Sequence, residues 1–135
     1  MKKWLILCLL LILCSFSLAS CGGSTGPAGS TVVQVTLSDY NINSSLTTFS
    51  IHTPYHFEVT NKGLVNHEFI IMPPMTGELS MDEIHKAALA YIDVVAPGET
   101  KTLDYTFTKA TSNLELACHI GHHYLLGMHL AIKIT

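Results

Sequence analysis

Arginine is absent from the 135 residues, and seven lysines stand against ten acidic side chains and eight histidines, for a net charge of −3 with histidine neutral. Nucleic-acid binding rests on clustered Lys and Arg against phosphates, so that class of function is excluded. Charge of either sign is scarce: 13% of residues are charged and 48% hydrophobic, a balance that suits one compact domain and not a disordered chain. Cysteine is scarce where it would matter for folding. Cys8 and Cys14 lie in an apolar N-terminal stretch, Cys21 borders it, and only Cys118 remains in the rest of the chain, so no disulfide can form within the domain. No apolar run is long enough for an ordinary membrane span either: the uncharged stretch from Trp4 to Leu18 has about 15 residues, where a spanning helix needs about 20. No internal repeat is present.

Lys2 and Lys3, the apolar stretch that follows, and the small-residue exit Leu18-Ala19-Ser20-Cys21-Gly22 describe a secretory signal peptide over residues 1–20. The exit resembles the bacterial lipobox, whose Cys is lipidated on its thiol and becomes the first residue of the mature protein. That resemblance implies lipidation at Cys21 and a place in the cell envelope, on the extracytoplasmic face of the membrane, held there through the lipid only. Residues 21–30 hold a Gly/Ser/Pro tract and are expected to act as a flexible tether. Residues 31–135 are then the folded domain. Beyond residue 20 five lysines remain against ten acidic groups, a charge of about −5. A single thiol in an exported domain, where oxidation is the norm, calls for a reason: it is either a small buried apolar side chain or a thiolate held by a metal.

The domain reads as short β segments at 32–37, 48–52, 55–60, 68–72, 102–108, 114–118 and 128–134, separated by turn-rich stretches such as Asn61-Lys62-Gly63. One helical signal interrupts them. Ser80 and Glu83 form a capping-box pattern, and Ile84, Ala87, Ala88 and Tyr91 recur at helical intervals over 81–90. About seven strands with one short helix predict an all-β Greek-key sandwich. Alternation predicts inward rows Leu103-Tyr105-Phe107, Leu114-Leu116-Cys118, His67-Phe69-Ile71 and Met128-Leu130-Ile132-Ile134. A His, a Cys and a Met each stand at one end of such a row, and a bulge or a one-residue slip is what would turn any of them outward.

From Cys118 to Met128 the chain reads Cys-His-Ile-Gly-His-His-Tyr-Leu-Leu-Gly-Met. A thiol, a thioether and imidazoles between two strands offer the trigonal donor set that suits copper in both oxidation states. The region resembles the cupredoxin family of blue-copper proteins, in which a Cys, a His and a Met on the last strand-to-strand loop join an upstream His. The family spacing, four residues between Cys and His and four between His and Met, falls on Cys118, His123 and Met128. Asn61-Lys62-Gly63 with Asn66-His67-Glu68-Phe69 matches the upstream stretch and places the remaining ligand at His67, and Ala96-Pro97-Gly98-Glu99-Thr100 matches as well. Two departures stand out. Gly121-His122 replaces the usual Pro-Gly, which makes His122 a rival to His123, and Glu68 stands where some relatives have an Asn or Ser bridging the two ligand loops.

The resemblance implies one copper per domain, no enzymatic activity, and one-electron transfer to redox partner proteins of a respiratory chain. The other reading is an envelope copper carrier that passes its metal to a copper-accepting protein without redox cycling. Zinc is the rival metal, yet structural zinc sites use more cysteines or tight paired spacings. A Cys118–His123–Asn113 thiol hydrolase is disfavoured because an inward thiol at a strand end lacks the exposed setting of such nucleophiles. Leu125, Leu126 and Leu130 are expected to keep water from the metal and to offer a docking patch. His52, His56, His85 and His129 read as surface residues, and His119 should point away from Cys118. Met72, Met75 and Met81 read as core or lid residues, or as soft Cu(I) contacts.

Overall fold

A computed structural model describes residues 26–75 and 79–135. Nine strands and one helix follow in order: β1 (Thr31–Ser38), β2 (Asn41–Ser44), β3 (Thr48–Phe49), β4 (Pro54–Asn61), β5 (His67–Met72), α1 (Met81–Ala87), β6 (Ala90–Val95), β7 (Thr100–Thr106), β8 (Thr111–Ala117) and β9 (His129–Ile134). They form two sheets, one of four strands in the order β2-β1-β4-β7 and one of five in the order β3-β9-β8-β5-β6. The pairs β1/β4 and β3/β9 are parallel and the other pairs antiparallel. This is the all-β sandwich with one short helix that the strand pattern predicts. Among the described residues no helix is long and apolar enough to cross a membrane.

The core lies between the sheets because each strand alternates. In β1, Val33, Val35 and Leu37 are buried while Gln34 is exposed, and β4 sends Tyr55, Phe57 and Val59 to the same side. Facing them are Phe69, Ile71, Leu114, Leu116, Ile132 and Ile134 from the other sheet. Phe57 sits among Phe49 and Phe69 at ring-centroid distances of 5.7 and 5.6 Å, in tilted pairs that aromatic quadrupoles favour.

β5 is different, being buried at all six positions. Its inner face joins the main core, and its outer face carries Ile70 and Met72 into a second cluster with Ile84 of α1 and Ala117 of β8. The expected capping box forms: Ser80 accepts from the Glu83 N–H and the Glu83 carboxylate accepts from the Ser80 N–H. The helix is shorter than its sequence signal, ending where Ala88 turns extended, with φ −65° and ψ 140°. Ala90 to Val95, rich in β-branched residues, pairs with β5 as a strand that helical periodicity had partly claimed. Met72 is buried and Met75 packs beside it, so both serve this second core. His56 is a further correction: expected at the surface, it is 7% exposed, with its Nδ1 2.6 Å from the Asp104 carboxylate across the β4/β7 pair.

Because Phe57 fills the centre of the sandwich, Phe57→Ala is expected to cost about 3–5 kcal/mol of unfolding free energy, read from urea titrations followed by circular dichroism.

Candidate metal centre

Two chain segments, the start of β5 and the loop from β8 to β9, converge at one end of the sandwich. His67 opens β5, Cys118 follows β8, His123 lies midway along the loop from β8 to β9, and Met128 closes that loop. The antiparallel pairing of β5 with β8, Ile70 opposite Ala117, brings His67 and Cys118 to the same edge. The loop is closed by two backbone bonds, Cys118 N–H to the Met128 carbonyl at 3.1 Å and Met128 N–H to the His123 carbonyl at 3.0 Å. Gly127, at φ +99°, makes the reversal into Met128 that a side chain would strain. His67, Cys118 and Met128 are all wholly buried.

The donor atoms of His67, Cys118 and His123 all lie within 4.8 Å of one another. Cys118 Sγ is 3.4 Å from His123 Nδ1 and 3.9 Å from His67 Nδ1, and the two Nδ1 atoms are 3.2 Å apart. A point equidistant from the three stands about 2.0 Å from each, close to the length of metal–imidazole and slightly under that of metal–thiolate bonds. The other ring nitrogen of His67, Nε2, is 3.3 Å from Asp39 Oδ1. A proton on Nε2 facing that carboxylate leaves Nδ1 with a free lone pair directed at the thiol, the arrangement by which outer carboxylates orient metal-bound histidines. Asp39 is itself held by the Leu64 N–H, which chiefly lowers its pKa, with a smaller contribution from His67. Burial raises the Cys118 thiol to about 11 and lowers His123, so the His123 ring favours its neutral form beside a thiol that stays protonated near neutral pH.

Asp39 was not singled out in the sequence; it lies in the short turn between β1 and β2, beside Tyr40 at φ +67°. Tyr40 packs edge-on against the His123 ring at 5.1 Å. Two more residues build the His67 side. Asn61 is fully buried and donates to the Val65 and Val95 carbonyls at 2.8 Å each, which pins the loop leading into His67. Gly63 passes so close that an added Cβ would collide with the Asp39 carboxylate and stand 2.9 Å from His67 Nε2. Glu68 joins the two ligand loops in its own way. Its N–H donates to Cys118 Sγ at 3.4 Å, and its carboxylate accepts from the His119 N–H.

The rival His122 is exposed and lines a surface hollow with Leu79, Ile84, His119, Tyr124 and Leu125, apart from the three converging donors. His119, as alternation predicts, turns away from the main core and stacks on Tyr124 at 4.3 Å. Leu125 and Leu126 are 68% and 58% exposed, so they form a surface patch and do not shield the cluster; that role falls to Tyr40 and to the buried Met128.

No family model matches the chain, and no curated protein matches it in sequence. Solved structures do. The fold is similar to that of auracyanin A, a "blue" copper protein from Chloroflexus aurantiacus, at 16% identity and a TM-score of 0.60 over 79% of this chain and 100% of that one. It is similar to an azurin from Methylomonas sp. strain J at 13% identity and a TM-score of 0.55, covering 78% of this chain and 98% of that one. It also matches part of McoA multicopper oxidase from Aquifex aeolicus at 18% identity and a TM-score of 0.58, over 82% of this chain and 30% of that much longer one. The fold is therefore the cupredoxin fold. The donor set of one thiol and two imidazoles, with a buried thioether on the same loop, fits a type 1 copper ion.

With its pKa at about 11, the metal-free Cys118 thiol is about one part in a thousand thiolate at pH 8. Alkylation of the metal-free chain is expected to be slow there and to accelerate about tenfold per pH unit up to about pH 10, levelling off beyond pH 11, as followed by iodoacetamide labelling and mass spectrometry.

Proposed function

We propose that this chain is a copper-binding electron-transfer protein whose ion is held by Cys118, His67, His123 and Met128. The observation that carries the proposal is the triangle of Cys118 Sγ with two imidazole Nδ1 atoms, one of them oriented by Asp39 from behind. Bound there, copper supplies one-electron exchange between its two oxidation states. The protein's share is to hold the donors still. β5 and β8 fix His67 and Cys118, the Glu68 N–H aims at the thiol sulfur, and the two backbone bonds between Cys118, His123 and Met128 clamp the loop. Little needs to move when the charge changes, which is what fast transfer requires.

Burial separates this reading from that of a carrier. Cys118 and His67 are inaccessible, so passing the ion to another protein would need the loop to open, whereas an electron can leave through the half-buried His123 ring. Tyr40 packs on that ring, and Leu64, Val65, Leu125 and Leu126, on the chain segments next to His67 and His123, are exposed apolar residues suited to brief docking with a redox partner protein. The similarity of fold to auracyanin A, a "blue" copper protein, supports a copper-binding role for the cluster. Cys21 lies outside the described residues. With the signal-like residues 1–20 before it, it supports a lipid-anchored position on the extracytoplasmic face of the membrane.

The full chain, purified in detergent and loaded with Cu(II), is expected to show an intense visible thiolate-to-copper band and a narrow copper hyperfine splitting. Cys118→Ser and His123→Ala should each abolish both, while His122→Ala keeps them. A pale tetragonal spectrum indifferent to Cys118→Ser would overturn the proposal.

A further inference from the structure

The chain segments next to His67 and His123 leave Leu64, Val65, Leu125 and Leu126 exposed, and apolar residues of that kind suit a lipid surface as well as a protein. What covers them is decided at the other end of the molecule. β1 begins at Thr31, opposite Tyr55 of β4, and runs through Ser38 to Asp39, whose carboxylate stands behind His67. The chain therefore enters the domain at the pole opposite the metal cluster, and eight residues of strand separate the two ends.

The residues just before β1 are strapped to that far pole. Pro27 to Ser30 make a turn in which the Ser30 N–H and hydroxyl both donate to the Pro27 carbonyl, at 3.0 and 2.7 Å. Pro27 and Ala28 border a hollow of about 380 Å³ together with Pro54 of β4 and Thr106 of β7. Gly26 lies directly on the side chain of His56: a Cβ added to Gly26 would stand 3.0 Å from the His56 Cβ and 3.1 Å from its ring. That contact covers His56 on the outer face of β4, whose neighbours Tyr55 and Phe57 turn into the core.

The lengths then decide the orientation. His56 pairs with Val32, and the seven residues from Val32 to Asp39, at about 3.3 Å each, put about 23 Å between Gly26 and the level of Asp39. From Cys21 to Gly26 the chain takes five residue steps, which span at most about 18 Å however they run. Pressing the metal pole onto a bilayer would lift Gly26 about 23 Å above its surface, beyond the reach of a lipid-bearing Cys21. We infer that the domain stands on the membrane with its strapped pole toward the lipid and its metal pole in water. The exposed leucines beside the metal ligands are then covered by a redox protein arriving from the aqueous phase, and not by the bilayer. This inference rests on the lipid-anchored reading of Cys21.

The test uses the full chain, matured in a bacterial host and placed in nanodiscs of phosphatidylethanolamine and phosphatidylglycerol in which some headgroups carry a gadolinium chelate. Reductant keeps any bound copper as diamagnetic Cu(I). Paramagnetic broadening of amide signals is expected to be at least tenfold stronger at Thr106 and Lys109, beside the strapped pole, than at Leu64 and Leu125. Inserting about twelve Gly/Ser residues between Gly23 and Ser24 lengthens the leash by up to about 43 Å and should cut that ratio at least threefold. Equal or stronger broadening at Leu125 with the native leash would overturn the inference and assign the exposed leucines to lipid. If mass spectrometry finds Cys21 unmodified and the nanodiscs hold no chain, the anchoring reading fails and the orientation falls with it. The copper spectra depend on Cys118 and His123 and are untouched by either failure.

Discussion

The contact between the Asp39 carboxylate and Nε2 of His67 decides what the rest of the site can be. An imidazole has two nitrogens and, when neutral, one proton. A carboxylate 3.3 Å from one of them claims that proton and leaves the opposite lone pair for whatever lies ahead. Ahead of it are a thiol and a second imidazole. Without Asp39 the His67 proton is free to sit between the two Nδ1 atoms, which are 3.2 Å apart, and the cluster would close on itself through an internal hydrogen bond. The turn between β1 and β2, the close pass of Gly63 and the Leu64 N–H all serve to bring that carboxylate into place.

This dependence explains why the site sits where the two sheets meet. Asp39 leaves the four-stranded sheet at the end of β1, while His67 and Cys118 belong to the five-stranded one. Neither sheet holds both the ligands and the group that orients them, so the packing of the sandwich sets the tautomer. Asn61, at the end of β4, strengthens the link by bonding to the carbonyl of Val95 across the interface. A buried amide with both donors satisfied costs little and fixes one geometry, which an apolar side chain of similar size would not.

Most of this frame was legible in the sequence because period-two alternation is a local signal. The rows ending in His67 and Cys118 turn inward as expected, and the loop spacing points to His123, which meets the thiol while His122 does not. The capping box of Ser80 and Glu83 was equally plain. What escaped depends on contacts distant in sequence. Asp39 lies 28 residues from His67, and nothing in a Ser-Asp-Tyr-Asn turn announces a partner. The start of β6 was absorbed into a helix because Ala87, Ala88 and Tyr91 mimic helical spacing until tertiary pairing with β5 overrides it. His56 looked like a surface residue because its partner Asp104 lies on a strand 48 residues away.

Glu68 shows how a departure from a familiar pattern carries its own logic. An amide or hydroxyl at this position would make neutral hydrogen bonds and end there. A carboxylate buried against the thiol loop cannot stop at one bond: its second oxygen needs a proton or a positive charge, and burial alone pushes its pKa upward. The chain places the His85 ring opposite that oxygen, and Asp93 of the bulged strand β6 on the other flank of the same ring nitrogen. The helix α1 covers the outer face of β5, whose first residues are His67 and Glu68, and β6 pairs along its edge. Ordering at the His85 side therefore bears on the strand that carries the upstream ligand, through one residue whose backbone N–H faces sulfur and whose carboxylate faces the His85 ring.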